Sequence, residues 1–354
     1  MKRACSVLLT VMAFTLGCGN DNPTEPPDKA PTVYVAGSYS VSSVDVPCFW
    51  KNGVRTDLRG DGVHSASVCG IAMSGSTVFY GGYYNTSAMA IPCYWADTVK
   101  HDLSAGTNSA YVNAVAVDNG TVYCGGSGLG LPGLGTAMVP CYWQGTAITV
   151  LPSDTANDAY VNGIAVSSGT VYCCGYEDTL NGSGSNPRYW VGSVMHVPQH
   201  DTGNTAYAYG VTVNNDTVYT CGVHTPAGVL SRTPCYWRDT VCHDLSTINA
   251  VTGYAGGICI AGGVVYVVGY VENATPQRIP CYWANGVRHD LPCGSGRFNG
   301  SWAITAAGGK IYCAGQIHEG AGRLPCYWAE GMRHDLPVAD STSANNWASS
   351  IVVQ

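Results

Sequence analysis

Short apolar segments follow one another along the whole chain, separated by turn residues, and no stretch sustains a helical period. One kind of segment is small and apolar: GIAMS from Gly70, AVAVD from Ala114, GIAVS from Gly163 and GVTVN from Gly210. Tight turns such as Ser74-Gly75-Ser76 and Asn119-Gly120 come next, residue types suited to hairpins. A second kind reads TVYCGG from Thr121, TVYCCG from Thr170 and VVYVVG from Val264. A third carries PCYW or a variant. A short turn (Asn52-Gly53, Asp97-Thr98, Asp239-Thr240 or Asn285-Gly286) then leads to a fourth, which reads VRTDL, VKHDL or VRHDL.

This order repeats. The third segment ends at Trp50, Trp95, Trp143, Trp190, Trp237, Trp283 and Trp328, spaced 45 to 48 residues apart. Four short antiparallel strands per unit of that period predict an all-β chain forming a seven-bladed β-propeller. The first unit begins at a second-type segment, TVYVAG from Thr32, and the chain ends on a first-type segment, ASSIVVQ from Ala348 to Gln354. The C-terminal strand is therefore expected to complete the N-terminal blade, closing the ring and removing exposed strand edges. The units, typified by Tyr282-Trp283-Ala284-Asn285-Gly286 with Asp290-Leu291 downstream, resemble bacterial extracellular and lipoprotein repeat proteins, and kelch-like propellers more distantly. The resemblance covers residues 32–354. It implies the architecture and leaves function open, since propellers host binding modules and enzymes alike.

Ahead of the repeats, Lys2 and Arg3 precede an apolar run, Ala4 to Leu16, too short to span a bilayer. With Leu16-Gly17-Cys18 and the polar, Pro-rich run after it, this segment resembles a bacterial lipoprotein signal. The resemblance implies cleavage before Cys18, lipidation of that cysteine and a flexible tether over residues 18–31. An ordinary secretory signal over the same residues is the alternative. Either implies that the mature protein leaves the cytoplasm; the lipoprotein reading implies a cell-envelope protein whose membrane contact is the anchor alone. Gly19 after the cysteine implies the outer membrane or cell surface.

Only 11% of the residues are charged, and the formal charge is −7. That balance disfavours binding to nucleic acid or anionic lipid through charge. Setting aside Cys5 and Cys18, fifteen cysteines remain, six of them in the third segment: Cys48, Cys93, Cys141, Cys235, Cys281 and Cys326. Partner cysteines in the second segment occur in some units only, which fits small buried apolar positions better than a disulfide rule. Cys124–Cys141, Cys221–Cys235 and Cys313–Cys326 are the pairs to consider for disulfides. No C-x-x-C occurs and like cysteines fall on different blades, so no metal site and no cofactor is expected. The fourth segment places His101, His196, His243, His289 and His334 at equivalent positions, and the next position of the unit holds Asp57, Asp102, Asp244, Asp290 or Asp335 in five blades. On an outermost strand these are expected to bond backbone groups or to charge the edge. The glycine closing each second segment (Gly37, Gly82, Gly126, Gly175, Gly222, Gly269, Gly315) marks a bulge or a close backbone approach.

Function is then expected on the long, variable loops of one face, as in 126–139 and 176–186. Before the innermost strand stand Tyr111, Tyr160, Tyr207, Tyr254 and Trp347, with Tyr209 and Trp302 two residues further along their units. These predict a partial aromatic ring at the mouth of the central channel, suited to a protein or glycan ligand. The competing reading is that the rings only pack blade on blade. Scattered acids (Asp61, Asp154, Asp158, Glu177, Asp178, Glu272, Glu319, Asp340) and His64, His224 and His318 form no recognisable catalytic pair. A monomeric binding or scaffolding module is expected, with a propeller-type polysaccharide hydrolase or lyase as the alternative.

Overall fold

The computed structural model describes residues 30–104, 106, 108–130, 137–154, 157–179, 184–201, 204–320, 322–339 and 346–354. The signal, Cys18 and nearly all of the tether lie outside the described residues, as do Asp340 and the loop centres 131–136 and 180–183. All regular structure among the described residues is strand, in seven four-stranded sheets. Blade 2 shows the pattern: Ala66–Ser74, Thr77–Asn85, Ala90–Ala96 and Val99–Asp102, each antiparallel to the next. Blades 3 to 7 repeat it over 110–150, 159–196, 206–244, 252–290 and 300–335. Blade 1 comprises 33–57 together with Trp347–Val353, which pairs antiparallel with Val33–Val41. That C-terminal strand packs between the innermost strands of blades 7 and 2, so the ring is closed as the repeat count predicts.

Hairpin chemistry appears where the turn dipeptides stand. Asn52-Gly53 has φ of 49° and 81°, and Asn285-Gly286 has 47° and 83°, the doubly left-handed turn that matches strand twist. The turn side chains also reach the neighbouring second strand: Asn52 Oδ1 accepts from the Val33 N–H at 2.8 Å and Asp97 Oδ1 from the Val78 N–H at 3.1 Å.

The core is divided among the seven blade interfaces. Each hydrophobic cluster draws on two neighbouring blades and contains one of the seven repeat tryptophans, all at most 1% exposed. Every one of these indoles also donates a hydrogen bond, its Nε1 reaching a backbone carbonyl just beyond the outermost strand of the preceding blade. The acceptors, from Trp50 to Trp328, are Pro337, Arg59, Ser104, Pro152, Gln199, Ser246 and Pro292, at 2.7–2.9 Å. A buried polar atom is thereby satisfied while the ring fills the interface. The leucine closing the fourth segment is buried in six blades, and its N–H donates to the carbonyl of the third-strand proline, as Leu103 does to Pro92 at 2.8 Å. In blade 4 that place is taken by Pro198, which has no N–H to give.

The second strand runs further than the sequence suggests. It continues past the repeat glycine, to Asn85 in blade 2, Leu129 in blade 3 and Asp178 in blade 4, so the glycine is internal. Opposite it the innermost strand is bulged, as between Val68 and Gly70, and the backbones meet closely. A Cβ at Gly82 would stand 2.0 Å from the Ser67 carbonyl oxygen; the range over the seven glycines is 1.7–2.1 Å. Close approach, rather than a strand end, explains the glycine.

The third-strand cysteines Cys48, Cys93, Cys141, Cys235, Cys281 and Cys326 are fully buried, and all fifteen described cysteines are free. Cys221 and Cys235 belong to cores on opposite sides of their blade. Cys124 and Cys141, like Cys313 and Cys326, are offset diagonally across neighbouring strands.

Among the described residues, the outer-strand histidines bond no backbone group. Each stacks on the tyrosine directly across from it: Tyr94–His101, Tyr189–His196, Tyr236–His243, Tyr282–His289 and Tyr327–His334, with centroids 4.6–4.8 Å apart and planes within 13°. The neighbouring aspartates pair with side chains instead, as Asp57 does with Arg55 at 3.1 Å and with the Tyr39 hydroxyl at 2.9 Å.

Candidate binding face and central channel

The aromatic positions stand at or just ahead of the bulges, near the start of the innermost strands, and most of them converge. Tyr160 stands directly opposite Tyr176, and Tyr254 opposite Tyr270. Within blades these rings stack, Tyr160 on Tyr176 at 4.9 Å and Tyr254 on Tyr270 at 5.4 Å. Between blades they meet edge to face, Tyr176 on Tyr207 at 4.7 Å and Tyr254 on Trp302 at 5.6 Å. Tyr209 joins the two halves, 6.0 Å from Tyr207 and 4.7 Å from Tyr254. The result is a continuous arc over blades 4 to 7.

Tyr111 stands apart from that arc, edge-on to Tyr83 at 4.9 Å, and Trp347 makes no ring contact among the described residues. Five of the seven sequence-derived positions therefore come together. Tyr176 and Tyr270 are members that sequence reading missed, because their strand continues beyond the glycine at which it was expected to end. The arc rings are half-buried, and burial pushes the hydroxyls of Tyr176, Tyr209 and Tyr254 up from their ordinary range, so they stay protonated donors. Arg232 and Arg278 lie over Tyr207 and Tyr270, at 5.2 and 4.5 Å from the ring centres.

The bulged residues line the central channel: Cys69, Asn113, Asn162, Tyr209, Gly256, Trp302 and Ser349. Three of them reach a carbonyl of the following blade, Asn113 to Val161 at 2.8 Å, Asn162 to Ala208 at 2.9 Å and Ser349 to Val68 at 2.8 Å. The cavity holds about 340 Å³, and none of its described lining residues is charged.

The described acids among those named from sequence have local partners. Glu177 is buried and takes a two-pronged bond from Arg188, at 2.7 and 3.0 Å. Asp158 accepts from the Met138 N–H, Asp178 from the Ser185 hydroxyl, and Glu272 from Arg278. Glu319 pairs with Arg333. The Asp154 N–H donates to Glu177. Asp61 is held by His64 at 2.5 Å, and bonds from His64 and the Val63 N–H lower its carboxyl to about 2. That pair borders a cleft of about 380 Å³ between blades 1 and 2, whose described lining contains no serine, threonine or cysteine nucleophile. His318 meets Phe298 edge to face.

Blade 5 departs from its neighbours. His224, Cys235 and Cys242 bring a ring nitrogen and two sulfurs within 4.8 Å of one another. The expectation of no metal site rested on the lack of a C-x-x-C and on like cysteines falling on different blades; Cys235 and Cys242 are unlike positions, on adjacent strands of one blade.

No protein-family model matches the chain, and no curated protein matches it. Among solved structures, a puromycin-hydrolysing peptidase of Mycobacterium tuberculosis aligns at 11% identity and TM-score 0.54, over 86% of this chain and 53% of that one. An acylaminoacyl peptidase of Pyrococcus horikoshii aligns at 11% identity and TM-score 0.50, over 87% and 50%. The chain thus spans about half the length of these peptidases. The β-propeller domain of the trilobed protease from Pyrococcus furiosus, of open velcro topology, aligns at 8% identity and TM-score 0.52, over 89% of this chain and 96% of that one. At such identities the likeness is one of fold: the chain is similar to β-propellers, and unlike that open one it closes its ring with its own last strand.

Proposed function

We propose that this chain is an exported, lipid-anchored β-propeller that binds a protein or a glycan through its long-loop face at the bacterial cell envelope. The aromatic arc from Tyr160 to Trp302 carries this reading. It offers a rigid apolar surface with tyrosine hydroxyls as polar handles, the composition favoured at recognition surfaces. Arg232, which makes no ion pair among the described residues, adds an available cation beside Tyr207. Export and anchoring rest on the character of the first 31 residues.

Hydrolysis or elimination on a polysaccharide needs a converging acid and base. The uncharged channel and the locally bonded acids give that alternative no support. The test is a glycan array combined with affinity capture from envelope extract, using the purified chain and its Tyr160→Ala/Tyr207→Ala variant. Retention of a glycan or a partner by the parent and not by the variant supports binding at the arc. Equal retention by both, or none by either, overturns it.

A further inference from the structure

In four blades the same sheet face carries one arrangement: a buried third-strand cysteine, and on the outer strand a cation bridged to an aspartate. The pairs are Arg55–Asp57, Lys100–Asp102, Arg288–Asp290 and Arg333–Asp335, at 2.8–3.2 Å. In blades 1 and 2 a second-strand tyrosine completes it, Tyr39 bonding Asp57 and Tyr84 bonding Asp102. Blade 5 keeps Cys235 and Asp244 but changes both other positions in the direction of metal ligands. The cation position holds Cys242, and the tyrosine position holds His224.

His224 Nε2 lies 2.7 Å from Asp244 Oδ1, where Tyr39 and Tyr84 place their hydroxyls. The imidazole is 8% exposed, and its Nδ1 is buried with no hydrogen-bond partner. An unsatisfied buried ring nitrogen is costly for a purely structural histidine. A carboxylate holding one nitrogen while the other keeps its lone pair is how proteins orient a metal-binding imidazole.

We propose that His224, Cys235 and Cys242 bind one zinc ion, with Asp244 orienting the imidazole. A tetrahedral zinc with bonds of about 2.0–2.3 Å holds its donors roughly 3.3–3.8 Å apart, so small side-chain movements close the set. Two sulfurs and one imidazole favour zinc over oxygen-seeking calcium or magnesium. Water from the adjoining cleft of about 340 Å³, lined by Gln199, His200 and Asp201, supplies the fourth ligand. Binding converts two thiols to thiolates and releases their two protons to solvent.

The full chain, reduced and freed of metal, is titrated with cobalt(II) and read by the thiolate-to-cobalt charge-transfer absorbance. The expected result is saturation at one equivalent, displacement by zinc, and loss of the band in Cys242→Arg and in His224→Tyr. Those substitutions install the residues of blades 6 and 2 at the same register, and an unchanged circular dichroism spectrum verifies their folding. Asp244→Asn is expected to weaken binding about 10- to 100-fold. No band in the parent, or an undiminished band in Cys242→Arg, overturns the proposal. A Cys235–Cys242 disulfide that re-forms in the presence of zinc, found by peptide mass mapping, overturns it as well.

Discussion

Trp95 Nε1 donates to the backbone carbonyl of Arg59 across the interface between blades 2 and 1, at 2.9 Å, and six further tryptophans repeat the bond around the ring. The tryptophan is therefore both core filler and inter-blade tie. Trp95→Phe keeps most of the volume but leaves the Arg59 carbonyl without its donor, at an expected cost of about 1–3 kcal/mol. Trp95→Ala adds a cavity and is expected to cost about 3–5 kcal/mol. Chemical denaturation of the two variants checks the order. Equal stability of Trp95→Phe and the parent would show that the bond contributes nothing.

Gly82→Ala tests the close approach at the bulge. Its Cβ would meet the Ser67 carbonyl at 2.0 Å, a contact that only backbone displacement relieves. A loss of about 4 kcal/mol is expected, at the upper end for single substitutions. Gly75→Ala is the control: φ is +59° and the space is open, so about 1–2 kcal/mol is expected. Thermal melts of both variants compare them directly.

Removal of residues 347–354 strips blade 1 of its innermost strand and exposes the edge of Val33–Val41. An unpaired edge invites pairing between chains. Lower melting temperature and concentration-dependent association on size exclusion are the expected outcome. A truncated chain that stays monomeric with the parent's melting temperature would mean that closure adds no stability.

Buried thiols give the molecule an alkaline limit. Burial pushes Cys69 and Cys221 up to about 12, and Cys93, Cys281 and Cys326 well above the ordinary thiol value. In the unfolded chain these groups ionise near pH 8.5–9. The folded state thus holds protons that the unfolded state releases. The stabilisation is complete below about pH 8.5 and declines as pH rises towards 12. The melting temperature is expected to fall steadily between pH 8 and 11, and the fully buried thiols, Cys93, Cys281 and Cys326 among them, to react with a thiol reagent at pH 8 only after denaturation.

The architecture was legible because each blade restates the same four segments, so tryptophan spacing and the unpaired segments at the two ends specify the closed ring. What a linear pattern could not show was contact between strands. Tyr94 and His101 are seven positions apart, and only the hairpin register places them face to face. Tyr176 and Tyr270 were hidden because a glycine reads as a strand end when it in fact accommodates a bulge. Cys242 escaped notice because like positions were compared for likeness, whereas its significance lies in replacing the arginine or lysine of other blades.

The recognition role of the aromatic arc is tested most directly by ligand affinity at constant fold. The dissociation constant for the ligand retained by the parent chain is measured for Tyr160→Ala/Tyr207→Ala and, separately, for Trp95→Phe. Binding lost in the first variant and kept in the second, at a temperature where circular dichroism shows both folded, is the expected result. Undiminished affinity in Tyr160→Ala/Tyr207→Ala would contradict it, leaving the arc as packing between blades.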